Sequence, residues 1–164
     1  MAQDFEDGLP DALKDVRTRP LFVMHLPVRA SWDIGATPAG RRRTGMVAAG
    51  VFRGSRLSGE VLDGGADWQM MRPDGALTLD VRLALRADDG ALIALTYQGL
   101  RHGPGDVLAR IDKGETIDPA TYYFRIAGRF ETAAPQYDWL NRILAIGIGH
   151  RPSGGPIYSL FEVL

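Results

Sequence analysis

The sequence contains no cysteine, which removes disulfide bridges, thiolate metal sites and cysteine nucleophiles. Lysine is nearly as scarce: Lys14 and Lys113 stand against 17 arginines in 164 residues, so a Schiff-base mechanism has little material. The three histidines, His25, His102 and His150, fall in separate segments without His-x-His or His-Glu-x-x-His spacing, and no dedicated metal site is expected. Charge of one sign is not in excess, with 19 basic and 20 acidic residues, which argues against an electrostatic grip on nucleic acid or anionic lipid. No stretch approaches the ~20 apolar residues of a membrane span. The first residues carry Asp4, Glu6 and Asp7 in place of an apolar run, so neither a secretory signal nor a membrane association is expected. Together with the missing thiols, this points to a reducing, cytoplasmic setting. A Gly-x-Ser-x-Gly elbow, a phosphate loop and a dinucleotide fingerprint are also missing. Gly147-Ile148-Gly149 sits in a strand pattern and reads as close backbone approach at a barrel bend, so no cofactor is expected.

What the sequence does have is period-2 alternation. It is cleanest from Leu77 to Arg86, where every odd residue is apolar, the mark of a half-buried strand. Arg72-Pro73-Asp74-Gly75 and Ala87-Asp88-Asp89-Gly90 bracket it as turns with glycine in the fourth place, which predicts three consecutive antiparallel strands. Further strands are predicted at about 20–28, 42–53, 56–62, 91–100, 121–131, 142–150 and 156–163. The class is therefore all-β, a single closed antiparallel barrel of about nine or ten strands, with an extension over 1–18 and the barrel over about 19–164. Short helices are expected in loops, over Asp11–Val16, Asp106–Ile111 and Gln136–Leu140. Residues 29–40 read as a loop and 102–120 as a longer excursion over one end. A chain of this length buries roughly 70% of its unfolded surface and sustains one core.

Turn chemistry sets which residues share a face. Pro73 cannot take the left-handed first position of a tight two-residue turn, so 72–75 should be a type I turn closed by a glycine bulge, and 87–90 the same. That register places Leu85 opposite Ile93, Leu83 opposite Leu95 and Val81 opposite Tyr97, gathering the apolar residues on one face. In the preceding hairpin it places Gln69 opposite Leu79 and Asp67 opposite Val81, which sends Asp67 and Gln69 into the leucine face. Apolar patterning alone would send Trp68 and Met70 there, and a bulge at Gly64-Gly65 would dissolve the conflict. An inward Asp67 has its charged form disfavoured, as suits a general acid or base near neutrality, with Tyr97 on the same face roughly 9–10 Å away. The plainer alternative is that Asp67 caps the Gly64-Gly65 turn.

The remaining inventory is phenol, guanidinium and amide: Tyr97, Tyr122, Tyr123, Tyr137, Arg43, Arg56, Arg125, Arg129 and Asn141. Such groups suit proton transfer on an organic molecule, with arginine or tyrosine holding a developing oxyanion, and they suit passive binding equally well. Asp80 and Arg82 read as a surface pair, Arg41-Arg42-Arg43 as an anion site or a solvated edge, and Tyr122-Tyr123-Phe124 as core.

Several segments in this order carry a resemblance: Gly40-Arg41-Arg42-Arg43, Gly54-Ser55-Arg56-Leu57-Ser58-Gly59, Gly64-Gly65-Ala66-Asp67-Trp68, Asp88-Asp89-Gly90-Ala91-Leu92-Ile93, Tyr123-Phe124-Arg125, Phe130-Glu131-Thr132 and Tyr137-Asp138-Trp139-Leu140-Asn141. Over about 18–164 the chain resembles domain-of-unknown-function family 3237, also called uncharacterised protein family 0311. The resemblance implies a lipocalin-like or allene-oxide-cyclase-like barrel with a central cavity, and it carries no settled activity. Two departures stand out: Gly54-Ser55 where the family tends to Gly-Pro, and Ile93-Ala94 where it often has Ile-Tyr, which removes a phenol from the strand of Tyr97.

The expectation is a cofactor-independent lyase, isomerase or hydratase acting on a small aromatic or hydrophobic molecule inside the barrel. Asp67, Tyr97 and Tyr123 are the expected catalytic groups, and Arg43, Arg56, Trp68, Tyr137 and Asn141 the expected substrate-binding groups. The alternatives are a non-catalytic carrier or sensor barrel and a solidly packed interaction protein; a cavity of a few hundred Å³ separates the first two from the third. A homodimer is compatible with apolar outer strands.

Overall fold

The computed structural model describes residues 8–164, and the acidic segment with Asp4, Glu6 and Asp7 lies outside them. Its strands are β1 (Thr18–His25), β2 (Val28–Thr37), β3 (Gly40–Val47), β4 (Gly50–Arg53), β5 (Gly59–Val61), β6 (Gly65–Met71), β7 (Leu77–Ala87), β8 (Leu92–His102), β9 (Tyr123–Glu131), β10 (Ala145–His150) and β11 (Ile157–Val163), with one α-helix, α1 (Gly105–Asp112), between β8 and β9. Every pairing is antiparallel. Eight strands close a ring in the order β4-β1-β11-β10-β9-β8-β7-β5, and β6, β3 and β2 extend the wall above β5, β4 and β1. β7 is long enough to pair with β8 along its whole length on one edge and with β6 and then β5 on the other.

The three breaks have local causes. Pro27, which lacks a ladder donor, separates β1 from β2; Ala48 and Ala49 separate β3 from β4; and Gly64, at φ +105°, sits between β5 and β6. Two expectations therefore need correction. Residues 42–53 form two strands, and residues 29–40 form a strand with its turn instead of a loop. β2 is solvent-exposed along almost its whole length and, among the described residues, pairs with β3 alone. With no buried face it has no alternation to read.

Both glycine turns form as the turn chemistry requires. Gly75 and Gly90 have φ +83° and +88°, and the amides of Arg72 and Ala87 donate to the carbonyls of Ala76 and Ala91. The resulting registers place Asp67 opposite Val81, Leu83 opposite Leu95 and Val81 opposite Tyr97. One end of the barrel is packed solid by Leu83, Leu85, Ile93, Leu95 and the Phe22, Phe52 and Phe130 rings, whose centroids lie 5.1 and 6.0 Å apart in the two pairs through Phe22. Buried Glu162 closes that end. Arg19 Nη2 donates to it at 2.8 Å, Arg56 donates to the same oxygen, and the Arg56 guanidinium lies 4.0 Å from the Trp139 ring centroid. Burial opposes the Glu162 charge, but the two guanidiniums hold its pKa below the ordinary value.

Towards the other end, glycines on the inner face make room for large neighbours. Gly99 and Gly147 flank Ile126, and Gly128 faces Tyr97. α1 lies over this mouth and buries Ile111. Among the described residues, the remaining helical structure is 3₁₀, at Asp11–Leu13, Pro119–Thr121 and Pro135–Arg142. No described helix is long and apolar enough to cross a membrane.

A Cβ placed on Gly149 would fall 2.6 Å from two carbons of the Phe124 ring, which is itself fully buried. Gly149→Ala should therefore destabilise the fold by about 1–3 kcal/mol, the usual cost of overpacking. Urea denaturation should show a lower midpoint with an unchanged slope; an unchanged midpoint would mean that the Phe124 ring yields freely.

Candidate functional site

A cavity of about 260 Å³ lies in the open half of the barrel, beneath α1 and the 151–156 loop. Its position follows from the break at Pro27: β2 leaves the line of β1 and does not pair with β11, so the wall there is completed by loop and helix. Val28, Leu77, Leu79, Ile111 and Phe124 supply apolar lining, and Arg43, Asp67, Gln69, Arg101, Arg151 and Tyr158 supply the polar groups. The volume is just under the ~300–1,000 Å³ usual for small-molecule pockets.

Asp67 is the centre of the polar set. It is 9% exposed, its Oδ2 accepts from Gln69 Nε2 at 2.5 Å, and its Oδ1 is buried with no partner. Gln69 is held in turn by Arg43, whose Nε donates to Gln69 Oε1 at 2.5 Å. Gly45 stands directly opposite Asp67 and leaves the space beside it open. Burial pushes the Asp67 carboxyl up to about 6, although Gln69, the Asp80 amide and the Arg43 and Arg101 charges pull the other way. Asp67 does not cap the Gly64-Gly65 turn; its side chain is committed to the interior.

Two phenols adjoin it. Tyr97 and Tyr158 pack edge to face with centroids 5.5 Å apart, both fully buried, and Tyr158 also meets the Phe124 ring at 5.3 Å. Burial first, then the Asp67 carboxylate (and, for Tyr97, the Tyr158 phenol ahead of it), raises both pKa values, so both hydroxyls stay protonated. Tyr158 forms the cavity wall, and Tyr97 supports it from behind.

Of the residues expected at the site, the structure brings together Asp67 and Arg43, with Tyr97 one side chain away. The others lie elsewhere. Tyr123 is on the outside of the barrel, 43% exposed, stacked on His102 at 4.9 Å and faced by the Arg125 guanidinium. Trp68 also points outward at 52% exposure, on the face opposite to Asp67 and Gln69, because adjacent strand residues alternate sides. Arg56 is committed to Glu162 at the packed end. Tyr137 sits beside the 87–90 turn, where its neighbour Gln136 donates to Asp89 at 3.1 Å. Asn141 ties the Pro135–Arg142 turn to β9 through both the amide and the carbonyl of Thr132. Sequence reasoning missed Arg101, Arg151 and Tyr158. Arg101 was legible, since Tyr97, Gly99 and Arg101 continue the inward alternation of Ile93 and Leu95. Arg151 lies in a loop, and in β11 Tyr158 and Phe161 compete for the inward face, so neither pattern decides.

Among the described residues no group of three His, Asp or Glu side chains is placed to hold a metal ion. A larger recess, about 660 Å³, lies on the outer face of β8–β11 around Leu100, Ile146, Ile148 and Phe161, away from Asp67.

The chain matches the family model described as protein of unknown function (DUF3237) over residues 16–163. It is 33% identical over 149 residues to UPF0311 protein RPA1785 of Rhodopseudomonas palustris, covering 91% of this chain and 97% of that one. The crystal structure of RPA1785 superposes with a TM-score of 0.88 over 92% of this chain and 99% of that chain. A β-barrel-like protein from Acinetobacter baumannii is 36% identical, with a TM-score of 0.81 over 96% of this chain and 99% of that one. An enzyme from Penicillium herquei, 18% identical with a TM-score of 0.72 over 95% of this chain and 100% of that one, shares the fold.

The buried carboxylate makes a stability prediction. With a pKa of about 6 against an ordinary 3.8, the folded state holds the Asp67 proton more tightly than the unfolded chain does. The favourable contribution is complete below pH 4 and is lost as pH rises through 6, up to about 3 kcal/mol. Asp67→Asn should therefore be more stable than wild type at pH 8, with the gap closing towards pH 4. Urea denaturation at pH 4, 6 and 8 measures it, and equal stabilities throughout would contradict the burial.

Proposed function

Because this chain belongs to the DUF3237 family, whose name carries no activity, its function has to be read from the site, and we propose that the cavity houses a cofactor-independent enzyme that moves a proton on a small organic molecule. The reaction class is that of a lyase, isomerase or hydratase. The observation that carries this reading is the Asp67 carboxylate: buried in the cavity wall, held through one oxygen by Gln69 and left with Oδ1 unpartnered.

At neutral pH a carboxyl with a pKa of about 6 is mostly ionised yet basic enough to take a proton in a site shielded from water. Oδ1 accepts the proton from a carbon acid or from bound water, and the resulting carboxylic acid returns it elsewhere on the molecule. Tyr158, kept protonated, donates to the oxygen on which negative charge develops, and the guanidiniums of Arg43, Arg101 and Arg151 add positive potential at the mouth. The Arg43–Gln69 link fixes the carboxylate plane. A carrier or sensor is the second reading, favoured by the cover that α1 gives the cavity and by donors that would serve capture as well as catalysis.

The two readings separate in heavy water. A small-molecule ligand is first found by thermal-shift screening, and solvent deuterium incorporation or conversion is then followed by NMR. Wild type should exchange or convert the ligand with a rate that falls as pH drops through about 6. Asp67→Asn should bind it but slow the reaction by about 10²–10⁴. Gly45→Leu, which fills the space opposite Asp67, should abolish binding in a folded protein. Binding without exchange in wild type would establish the carrier, and full activity in Asp67→Asn would remove it from the chemistry.

A further inference from the structure

The cavity is over-supplied with guanidinium. Arg43, Arg101 and Arg151 all line it, and the carboxylates among the lining residues are Asp67 and Asp112. Arg101 is the most buried of the three at 5% exposure. Its Nη2 donates to Asp112 Oδ1 at 3.2 Å, and its Nε is buried with no partner. Arg43 spends its Nε on Gln69, and Arg151 gives Nη1 to the Pro152 carbonyl. A guanidinium has five N–H donors, so most of this donor capacity is unspent. Only Arg101 is fully buried, and leaving its Nε dry and unpartnered is costly, while the half-buried guanidiniums of Arg43 and Arg151 add like charge beside it.

We infer that the Arg101–Arg151 pair, with Arg43 beside it, is a carboxylate-binding subsite, and that the molecule this cavity takes is a small organic monocarboxylate with an apolar body. The inference rests on the proposed site and names its substrate class. Three cations against two carboxylates leave one positive charge when Asp67 is ionised, which a single carboxylate neutralises and a phosphate dianion would overshoot. A guanidinium fork matches a carboxylate in plane. The apolar body has its own lining: Phe124 and Leu77 stand opposite Arg101 on either neighbouring strand, and Leu79 faces Gly99 one layer further in. A ligand anchored by its carboxylate at Arg101 thus extends inward along Leu79 towards the free Oδ1 of Asp67. Burial, together with the charges of Arg43 and Arg151, lowers the Arg101 pKa, and an anion beside it would relieve that strain on its charge.

The test uses benzoate, its neutral isostere benzamide and inorganic phosphate as probes, titrated calorimetrically into the whole protein at pH 8 and low salt. Wild type should bind benzoate at least tenfold tighter than benzamide. Arg151→Gln, at a half-buried position, should cost benzoate at least tenfold and leave benzamide unchanged; Arg101→Gln should do the same where circular dichroism shows it folded. Asp67→Asn should keep or improve benzoate binding, since it removes a negative charge. Equal binding of benzoate and benzamide, no benzoate binding, or benzoate binding indifferent to Arg151→Gln would each overturn the subsite. Phosphate binding more tightly than benzoate would overturn the carboxylate assignment. Charge discrimination in a protein that never exchanges a proton would leave the subsite standing while Asp67 lost its catalytic role, so the two failures are distinct.

Discussion

The register between β6 and β7 is the constraint on which the site depends. Strand side chains alternate faces, so a slip of one residue would turn Asp67 and Gln69 out to solvent and bring Trp68 and Met70 inside. On apolar pattern alone that slipped arrangement is the better one. What prevents it is a turn: Pro73 excludes the tight two-residue hairpin, and Gly75, at φ +83°, takes the left-handed bulge that no bulky residue adopts cheaply. A backbone preference at the hairpin tip thereby places an ionisable group against Val81 in the barrel interior.

That placement is tolerable because the two halves of the barrel are built differently. Leucines and phenylalanines fill the end closed by Glu162, Arg19 and Arg56, and burial there supplies the driving force for folding. The half towards α1 carries Asp67, Gln69, three arginines and Tyr158 around open space. Among the described residues, the buried side-chain atoms without partners are Thr44 Oγ1, Asp67 Oδ1 and Arg101 Nε, and the last two belong to residues that line the cavity. Buried polar groups normally find partners, and two orphans of complementary character on one small cavity are what a ligand with both acidic and acceptor groups would satisfy. The same logic explains the glycines of β8–β10, whose missing side chains give Tyr97, Ile126 and Phe124 their positions behind and beside that space.

The elements that were legible share one property, a buried face. β7 and the first half of β8 alternate, and from that the leucine face and Tyr97 follow, whereas Asp67 follows from the turn at 72–75 and not from pattern. β2 has no buried face, so its ten residues leave no periodic trace, and the turns around Pro27 and Gly64 that split long strands change direction without changing composition. The candidate site was legible only in part for a related reason. Tyr123, Tyr137, Arg56 and Asn141 are the same chemical types as Tyr158, Arg101 and Arg151, and composition cannot say which copy of a phenol or guanidinium faces the cavity. Arg56 illustrates the cost of choosing by type: its charge is consumed by Glu162, a residue 106 positions away in the chain.

The sequence by itself determined the all-β class, the family resemblance and the two glycine-bulge turns, the turns because each depends on residues within one hairpin; for Asp67 it set turn chemistry, which points the side chain inward, against apolar patterning, which points it outward. Tertiary structure alone decided what surrounds Asp67. Arg43 comes from β3, Arg101 from the end of β8, Tyr158 from β11 and Arg151 from the loop before it, and they meet because the barrel closes between β1 and β11 while β2 turns aside at Pro27. Closure is a property of the whole ring of strands, and no local pattern in the chain encodes which side chains it brings face to face.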